Sequence, residues 1–161
     1  MKVVSKQNNS KMCVICGINN PFGVKAEFYN MEDNSVMTVF MFKEEHQSYP
    51  GRVHGGMISA MLDEIIGRAL WIKEPKQYGV TMSLNIKYRK VVPYNAKLKA
   101  VGRVIKESDQ FFEGEGKIMD MNGNVLAEGV AHYIKLPLDT IGSINSEDVN
   151  VMLKDDVKNI D

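Results

Sequence analysis

The stretch from residue 51 to residue 67, GRVHGGMISAMLDEIIG, combines residue types that suit attack on a carbonyl group. His54 and Gly56 stand where a loop gives way to a helix, and Asp63 follows seven residues after Gly56. The first N–H groups of a helix lack partners within it and carry a partial positive charge, so they can stabilise an oxyanion. Asp63 borders apolar residues, and partial burial favours the protonated form of a carboxyl group, which makes it a better base toward water.

The spacing of Gly56 and Asp63 favours a site shared by two subunits. Seven helical residues span about 10 Å, whereas groups that act on one carbon atom lie about 3 Å from it. We therefore expect the helix start of one subunit to face Asp63 of its partner across a two-fold axis, with two equivalent sites per dimer. Glu64 lies about 100° further around the helix and is expected to point to solvent.

One helix and six strands are predicted to position these residues. Apolar residues recur every three to four positions between residues 55 and 73, which predicts a helix. Strands are predicted at residues 24–31, 35–43, 79–92, 97–106, 111–121 and 125–135, and Asn122-Gly123 is the strongest hairpin signal. The four strands after the helix are expected to form a meander. One long helix wrapped by a curved antiparallel sheet is an α+β arrangement.

The composition is that of an ordinary globular protein. The 161 residues suit one domain, for which we expect a lead-in at 1–23, the folded unit at 24–137, and a polar tail at 138–161 with a candidate short helix at 147–157. Lys and Arg number 20, equal to Asp and Glu, so there is no electrostatic footprint for nucleic acid or an anionic membrane. The start of the chain, MKVVSKQNNSKMC, lacks the apolar run of a secretory signal, and charges interrupt the helix, so we expect a cytoplasmic location.

Two cysteines, Cys13 and Cys16, form a CxxC motif. Two thiolates are half of a tetrahedral zinc site, and no second CxxC follows. A thioredoxin-like motif needs a preceding strand and a following helix, whereas turn-forming residues follow here. We favour a structural role for both thiols, with redox activity and shared metal binding as alternatives, and expect no metal in the active site.

Four segments together resemble the 4-hydroxybenzoyl-CoA thioesterase superfamily, in particular its phenylacetate-pathway type. They are CVICGINNPFGVKAEF, PGRVHGGMISAMLDEIIG, TMSLNIKYRKVVP and AEGVAHYIKL, and the resemblance covers about residues 13–135. In the second segment an acidic residue lies nine positions after a histidine that precedes two glycines. The resemblance implies a hotdog fold and hydrolysis of an acyl-CoA thioester.

The resemblance also implies roles for individual residues. Asp63 would be the general base or the nucleophile, and the Gly56 N–H group, with His54, would polarise the thioester carbonyl. Thr81 matches a hydroxyl that orients the attacking water in some relatives. From the residues alone, Asp63 could instead be structural and pair with an arginine, His54 could only hold the loop, and Thr81 is a residue type that strands favour in any case.

Arg89 and Lys90 would contact the CoA phosphates by the same resemblance, although a solvated strand end is the alternative. Relatives often carry a glycine and a basic residue in the turn at residues 107–110, where this chain has Glu-Ser-Asp-Gln, so a CoA contact from that turn is not expected. No cofactor is implied, because CoA enters with the substrate. The expected assembly is a homodimer or a dimer of dimers. Two other functions stay open: a non-catalytic acyl-CoA-binding module and a hydratase acting on an enoyl thioester.

Overall fold

The computed structural model describes residues 2–137 and residue 140; the helix predicted at 147–157 lies outside this part of the chain. It contains one α-helix, α1 (Gly55–Gly67), and two 3-10 helices at Glu44–His46 and Arg68–Ile72. The strands are β1 (Val3–Lys6), β2 (Tyr29–Met31), β3 (Val36–Phe40), β4 (Gln47–Tyr49), β5 (Arg52–Val53), β6 (Gln77–Tyr88), β7 (Leu98–Glu107), β8 (Phe111–Asp120) and β9 (Val125–Pro137).

Seven strands form one antiparallel sheet in the order β1-β2-β3-β7-β8-β9-β6, and β4 pairs only with β5. The predicted meander of four strands after the helix is wrong in one respect, because β6 pairs with β9 at the edge and only β7, β8 and β9 follow one another. The reason is burial: β7 carries fully buried residues such as Leu98 and Ala100 and takes a central place, whereas β6 is exposed along most of its length.

The lead-in contributes to the sheet, which the sequence pattern did not predict. β1 lies antiparallel to β2 and forms one edge of the sheet, and the chain then makes a series of turns through residues 11–23. The predicted strand at residues 24–31 is regular only from Tyr29 onward. The predicted helix at residues 55–73 is an α-helix as far as Gly67 and a 3-10 helix beyond it.

Helix α1 packs against the middle of the sheet at a row of glycines. Gly102, Gly116 and Gly129 lie side by side on β7, β8 and β9. A Cβ atom on Gly102 would collide with the carbonyl oxygen of Ile65, and one on Gly116 would lie 2.7 Å from Cγ1 of Ile66. Both isoleucines are fully buried. Gly102 and Gly116 therefore allow the helix to lie close to the sheet, which curves around it.

Within residues 2–137 and 140, no helix has the length and apolar character needed to cross a membrane.

The described residues form one α-helix on one large antiparallel sheet, which confirms the α+β arrangement that the sequence predicted.

Candidate active site

Asp63 lies on α1 beside the edge strand, and two hydroxyl groups hold its carboxylate. Thr81 Oγ1 donates a hydrogen bond of 2.7 Å to Asp63 Oδ1, and the Tyr133 hydroxyl donates one of 2.9 Å to the same oxygen. The Tyr133 hydroxyl also lies 3.0 Å from the backbone oxygen of Asp63. Thr81 and Tyr133 are direct partners in the pairing of β6 with β9, so their side chains leave the sheet on the same face, toward the helix.

Tyr133 is the residue that sequence reasoning missed. Its side chain is buried and stacks on Phe112, with ring centroids 4.5 Å apart. Burial, reinforced by the nearby charge of Asp63, raises the pKa of the phenol, so the hydroxyl keeps its proton and remains a donor. The available signal was alternation: Ala131, Tyr133 and Lys135 share the inner face of β9, and a buried tyrosine hydroxyl usually has a hydrogen-bond partner.

A cleft of about 220 Å³ opens beside Asp63. Its walls come from α1, from the start of β6, from Tyr133 and from the lead-in, and the lining includes Asp63, Glu64, Thr81, Cys13 and Cys16. Asp63 is half-buried there. The site therefore presents a carboxylate with neutral donors on one side and open space on another.

The start of α1 is arranged differently from the expectation. His54 is the N-cap residue, and its Nδ1 atom accepts a hydrogen bond of 2.9 Å from the N–H group of Gly56. The amide that we expect to polarise the carbonyl is thus occupied by a side chain in the free chain. The roles assigned to Gly56 and His54 stay predictions.

The structure does not bring Arg89 and Lys90 to Asp63 of the same chain. Arg89 follows the far end of β6, eight residues from Thr81, which is about 26 Å along a strand. Its Nη2 atom makes an ion pair of 2.6 Å with Glu128 Oε1. Lys90 is exposed. Any contact of this pair with a ligand at Asp63 therefore requires either a long ligand or a second chain.

Glu64 does not point to solvent, contrary to the expectation. Its Oε1 atom accepts a hydrogen bond of 2.7 Å from Nε of the buried Arg68, and its Oε2 atom lies 3.7 Å from the sulfur of Cys13. Arg68 lies one turn further along the chain, and the lead-in covers both residues.

The two cysteines of the lead-in affect each other. The hydrogen bond between the sulfur atoms of Cys13 and Cys16 lowers the pKa of Cys16 to about 6 and raises the pKa of Cys13.

Comparison with known proteins finds a similarity over part of the chain. A model of the thioesterase superfamily matches residues 50–127, which contain α1, β6, β7 and β8. No curated protein sequence matches the chain.

Three solved structures illustrate the shared fold. A thioesterase superfamily protein is 23% identical with a TM-score of 0.68, and the match covers 73% of this chain but only 60% of that one. A Bacillus halodurans protein crystallised with CoA is 24% identical, with coverage of 74% and 81% and a TM-score of 0.64. A putative thioesterase of Ralstonia eutropha, described as phenylacetic acid degradation-related, is 18% identical, with coverage of 69% and 85% and a TM-score of 0.62. The resemblance to the thioesterase superfamily is thus confirmed over residues 50–127, and the chain has the hotdog fold of these thioesterases.

Proposed function

We propose that this protein is an acyl-CoA thioesterase that hydrolyses an acyl-CoA thioester to the free acid and CoA. The observation that carries the proposal is the carboxylate of Asp63, held by the hydroxyls of Thr81 and Tyr133 beside an open cleft. Neutral donors fix the orientation of a carboxylate without neutralising its charge, so it remains able to accept a proton or to attack.

The two hydroxyls bind the same oxygen, Oδ1, which leaves Oδ2 for the chemistry. As a general base, Oδ2 takes a proton from water while the water oxygen attacks the thioester carbon. The tetrahedral intermediate then breaks its C–S bond, and the CoA sulfur recovers the proton. As a nucleophile, Oδ2 forms an anhydride and releases CoA, and water cleaves the anhydride afterwards. Either path forms an oxyanion that needs N–H donors.

A second copy of the chain would supply those donors, as the exposed edge strand suggests. β6 is twelve residues long and unpaired on one side within the described part of the chain. It exposes apolar side chains, with Met82 at 61% and Tyr88 at 54% exposure. A long exposed edge of this kind is a template for pairing with another strand.

The contacts between α1 and β6 suggest where the two-fold axis of the proposed dimer would lie. Asp63 contacts Thr81 near one end of β6, and Gly55 contacts Tyr88 at the other, where the Tyr88 hydroxyl lies 3.3 Å from the Gly55 oxygen. Antiparallel pairing of two β6 strands about a point midway between Thr81 and Tyr88, at Leu84 and Asn85, would therefore place the helix start of each copy beside Asp63 of the other.

The same pairing would explain the positions of Arg89 and Lys90. Both follow Tyr88, so in the proposed dimer they would come from the second copy to the side of the Asp63 cleft, where they can meet CoA phosphates. The Bacillus halodurans structure with CoA supports a ligand of this type. A dimer of dimers and a cytoplasmic location remain predictions.

The decisive experiment measures thiol release from short, long and aromatic acyl-CoAs by the wild type and by Asp63→Asn. The asparagine oxygen can still accept the two hydroxyl hydrogen bonds, so the fold should persist while turnover falls by about 10²–10⁴. Glu32→Gln removes an exposed carboxylate in the turn between β2 and β3, toward the opposite edge of the sheet from β6, and serves as the matched control. Acyl-CoA binding without thiol release by the wild type would indicate a binding module, and loss of enoyl absorbance would indicate a hydratase.

Mixed dimers test whether the site is shared. Gly56→Leu would displace the His54 ring, because even a Cβ atom at Gly56 lies 3.0 Å from His54 Nδ1. In a heterodimer of Gly56→Leu with Asp63→Asn, one of the two sites keeps both wild-type residues, so about half of the wild-type activity should return. If both variants are inactive alone and mixing restores nothing, the thioesterase proposal survives but the shared site does not.

A further inference from the structure

We propose that Cys13, Cys16 and Glu64 bind one divalent transition metal ion, with zinc as the preferred ion, and that this ion fastens the lead-in to α1. The ligand atoms of the three residues lie within 4.8 Å of one another. In the part of the chain that the structure describes, these residues form the cluster of His, Cys, Asp or Glu side chains that could hold a metal ion. Two thiolates with one carboxylate are ligands that zinc accepts in tetrahedral sites. The proposal is independent of the thioesterase reaction, which uses Asp63.

The loop that carries the two cysteines is shaped to present sulfur atoms. The sulfur of Cys13 accepts hydrogen bonds from the N–H groups of Ile15, at 3.3 Å, and Cys16, at 3.4 Å. These two N–H groups fix the position of the sulfur, so the loop holds it close to Glu64, where one ion can contact both residues. The Gly17 N–H group closes the turn on the Cys13 oxygen at 2.9 Å, and a Cβ atom at Gly17 would collide with the backbone of Cys13.

Buried polar contacts hold this loop in place before any ion arrives. The side-chain amide of Asn9, which is 1% exposed, donates to the backbone oxygens of Cys16 at 2.7 Å and Ala26 at 3.0 Å. Ser10 Oγ lies 3.2 Å from the sulfur of Cys16 and accepts the N–H group of Cys13 at 3.2 Å. A fixed loop reduces the ordering cost of binding a metal.

A divalent ion would balance the charges of the cluster once both thiols have lost their protons. Two thiolates and the carboxylate of Glu64 carry three negative charges, and the buried Arg68 supplies one positive charge. A divalent ion makes the set neutral, which matters where charges are shielded from water. Arg68 also binds Glu64 through Oε1, which orients the other oxygen, Oε2, toward Cys13, as an outer-shell partner of a metal ligand does.

The surroundings favour a metal over thiol–disulfide exchange. Turns rather than a helix follow Cys16, so the helix start that activates a redox CxxC is missing in residues 17–23. The cleft that reaches Asp63 also touches Cys13, Cys16, Glu64 and Ser10, so water can complete a tetrahedral shell. An ion here would tie together the loop and the helix that form one wall of the cleft.

Titration of the reduced, purified full-length chain with Co²⁺ tests the proposal directly. We expect thiolate-to-cobalt charge-transfer absorption with intense tetrahedral d–d bands, and saturation at one ion per chain. Addition of Zn²⁺ should remove the charge-transfer absorption and the d–d bands. Cys16→Ser should abolish the charge-transfer bands. Glu64→Gln, which can still accept the Arg68 hydrogen bond, should weaken Co²⁺ binding at least about tenfold.

Glu115→Gln is the matched control, because Glu115 also pairs with an arginine, Arg103, but on the far side of the sheet, and it should leave the affinity unchanged. Wild-type protein that binds Co²⁺ without thiolate absorption overturns the proposal, as does Glu64→Gln binding that equals wild type in a folded variant. A Cys13–Cys16 disulfide that forms in the presence of equimolar Zn²⁺ overturns it as well. If Glu64→Gln does not fold, the wild-type spectrum alone decides. None of these readouts depends on thioesterase activity.

Discussion

Asp63 and Glu64 are neighbours on the same helix, but the protein surrounds them with different chemistry. Asp63 faces the edge strand and accepts hydrogen bonds from two hydroxyls, whereas Glu64 faces the lead-in and is paired with the buried Arg68. No cation bonds to Asp63 among the residues that the structure describes. A carboxylate with neutral donors stays oriented and charged, while a carboxylate with a cation is neutralised and serves attachment. We therefore expect the Asp63 side to govern turnover and the Glu64 side to govern stability.

Removal of Arg68 should have the largest effect on this comparison. Arg68→Met leaves Glu64 partly buried without a cation and removes the hydrogen bonds to Gln7 and Asn8 in the lead-in. We expect a loss of about 3 kcal/mol in the free energy of unfolding, measured by urea denaturation with a chelator present. Arg103→Met breaks the exposed pair with Glu115 and should cost less than about 1 kcal/mol. Equal costs for the two variants would remove the distinction.

Tyr133→Phe tests the other side of the comparison. The substitution keeps the stacking on Phe112 and removes one hydroxyl donor from Asp63. A hydrogen bond to a charged group is worth about 1.5–3 kcal/mol, so turnover should fall about tenfold to a hundredfold. Tyr49→Phe, at an exposed tyrosine, is the control. A variant with wild-type turnover but reduced stability would show that Tyr133 only supports the fold.

Thr81→Val should have a smaller effect of the same kind. Thr81 is exposed in the single chain, and Tyr133 still holds Asp63 Oδ1 after the change, so a loss of tenfold or less in turnover is expected. Thr81→Ser keeps the hydroxyl and should restore most of the activity. If the serine variant is as slow as the valine variant, the hydroxyl is not what matters at this position.

The smallest expected effect is a pH dependence of the free energy of unfolding that comes from Glu107, another carboxylate that is paired with a cation. Nζ of Lys135 donates a hydrogen bond of 2.8 Å to Glu107, which lowers the pKa of Glu107 below its ordinary value of 4.5. Glu107 therefore contributes stability above that value and loses the contribution as the pH falls through its lowered pKa. The free energies of unfolding of wild type and Glu107→Gln, measured with urea, should differ by less than about 1 kcal/mol at neutral pH and converge in acid. A difference that grows in acid contradicts the assignment.

The sequence predicted much of the fold because periodicity is a local property. Helix α1 and strands β7 to β9 begin and end within two residues of their predicted bounds, apart from the 3-10 continuation of the helix. The place of β6 at the edge was not predictable in this way, since strand neighbours depend on which faces are buried across the whole chain. The short strand β1 was missed because four residues show little alternation.

The candidate site was predictable where one motif contains it and not where distant segments meet. The resemblance named both Asp63 and Thr81, which lie in contact, and their catalytic roles stay predictions. Tyr133 lies 70 residues from Asp63, so only the pairing of β6 with β9 brings the two together. The orientation of Glu64 was predicted wrongly because the lead-in covers it and supplies Cys13 as a neighbour, which the helical pattern alone does not show.

The row of Gly102, Gly116 and Gly129 has a consequence for how this protein can change over evolutionary time. Because a methyl group at Gly102 or Gly116 would press on α1, and the helix carries Asp63 only two residues from Ile65, a larger residue in the row would displace the acid as well as the core. Homologous sequences should therefore keep a glycine at position 102, which faces the backbone oxygen of Ile65, whereas a larger residue at position 116 should be accompanied by a smaller residue at position 66.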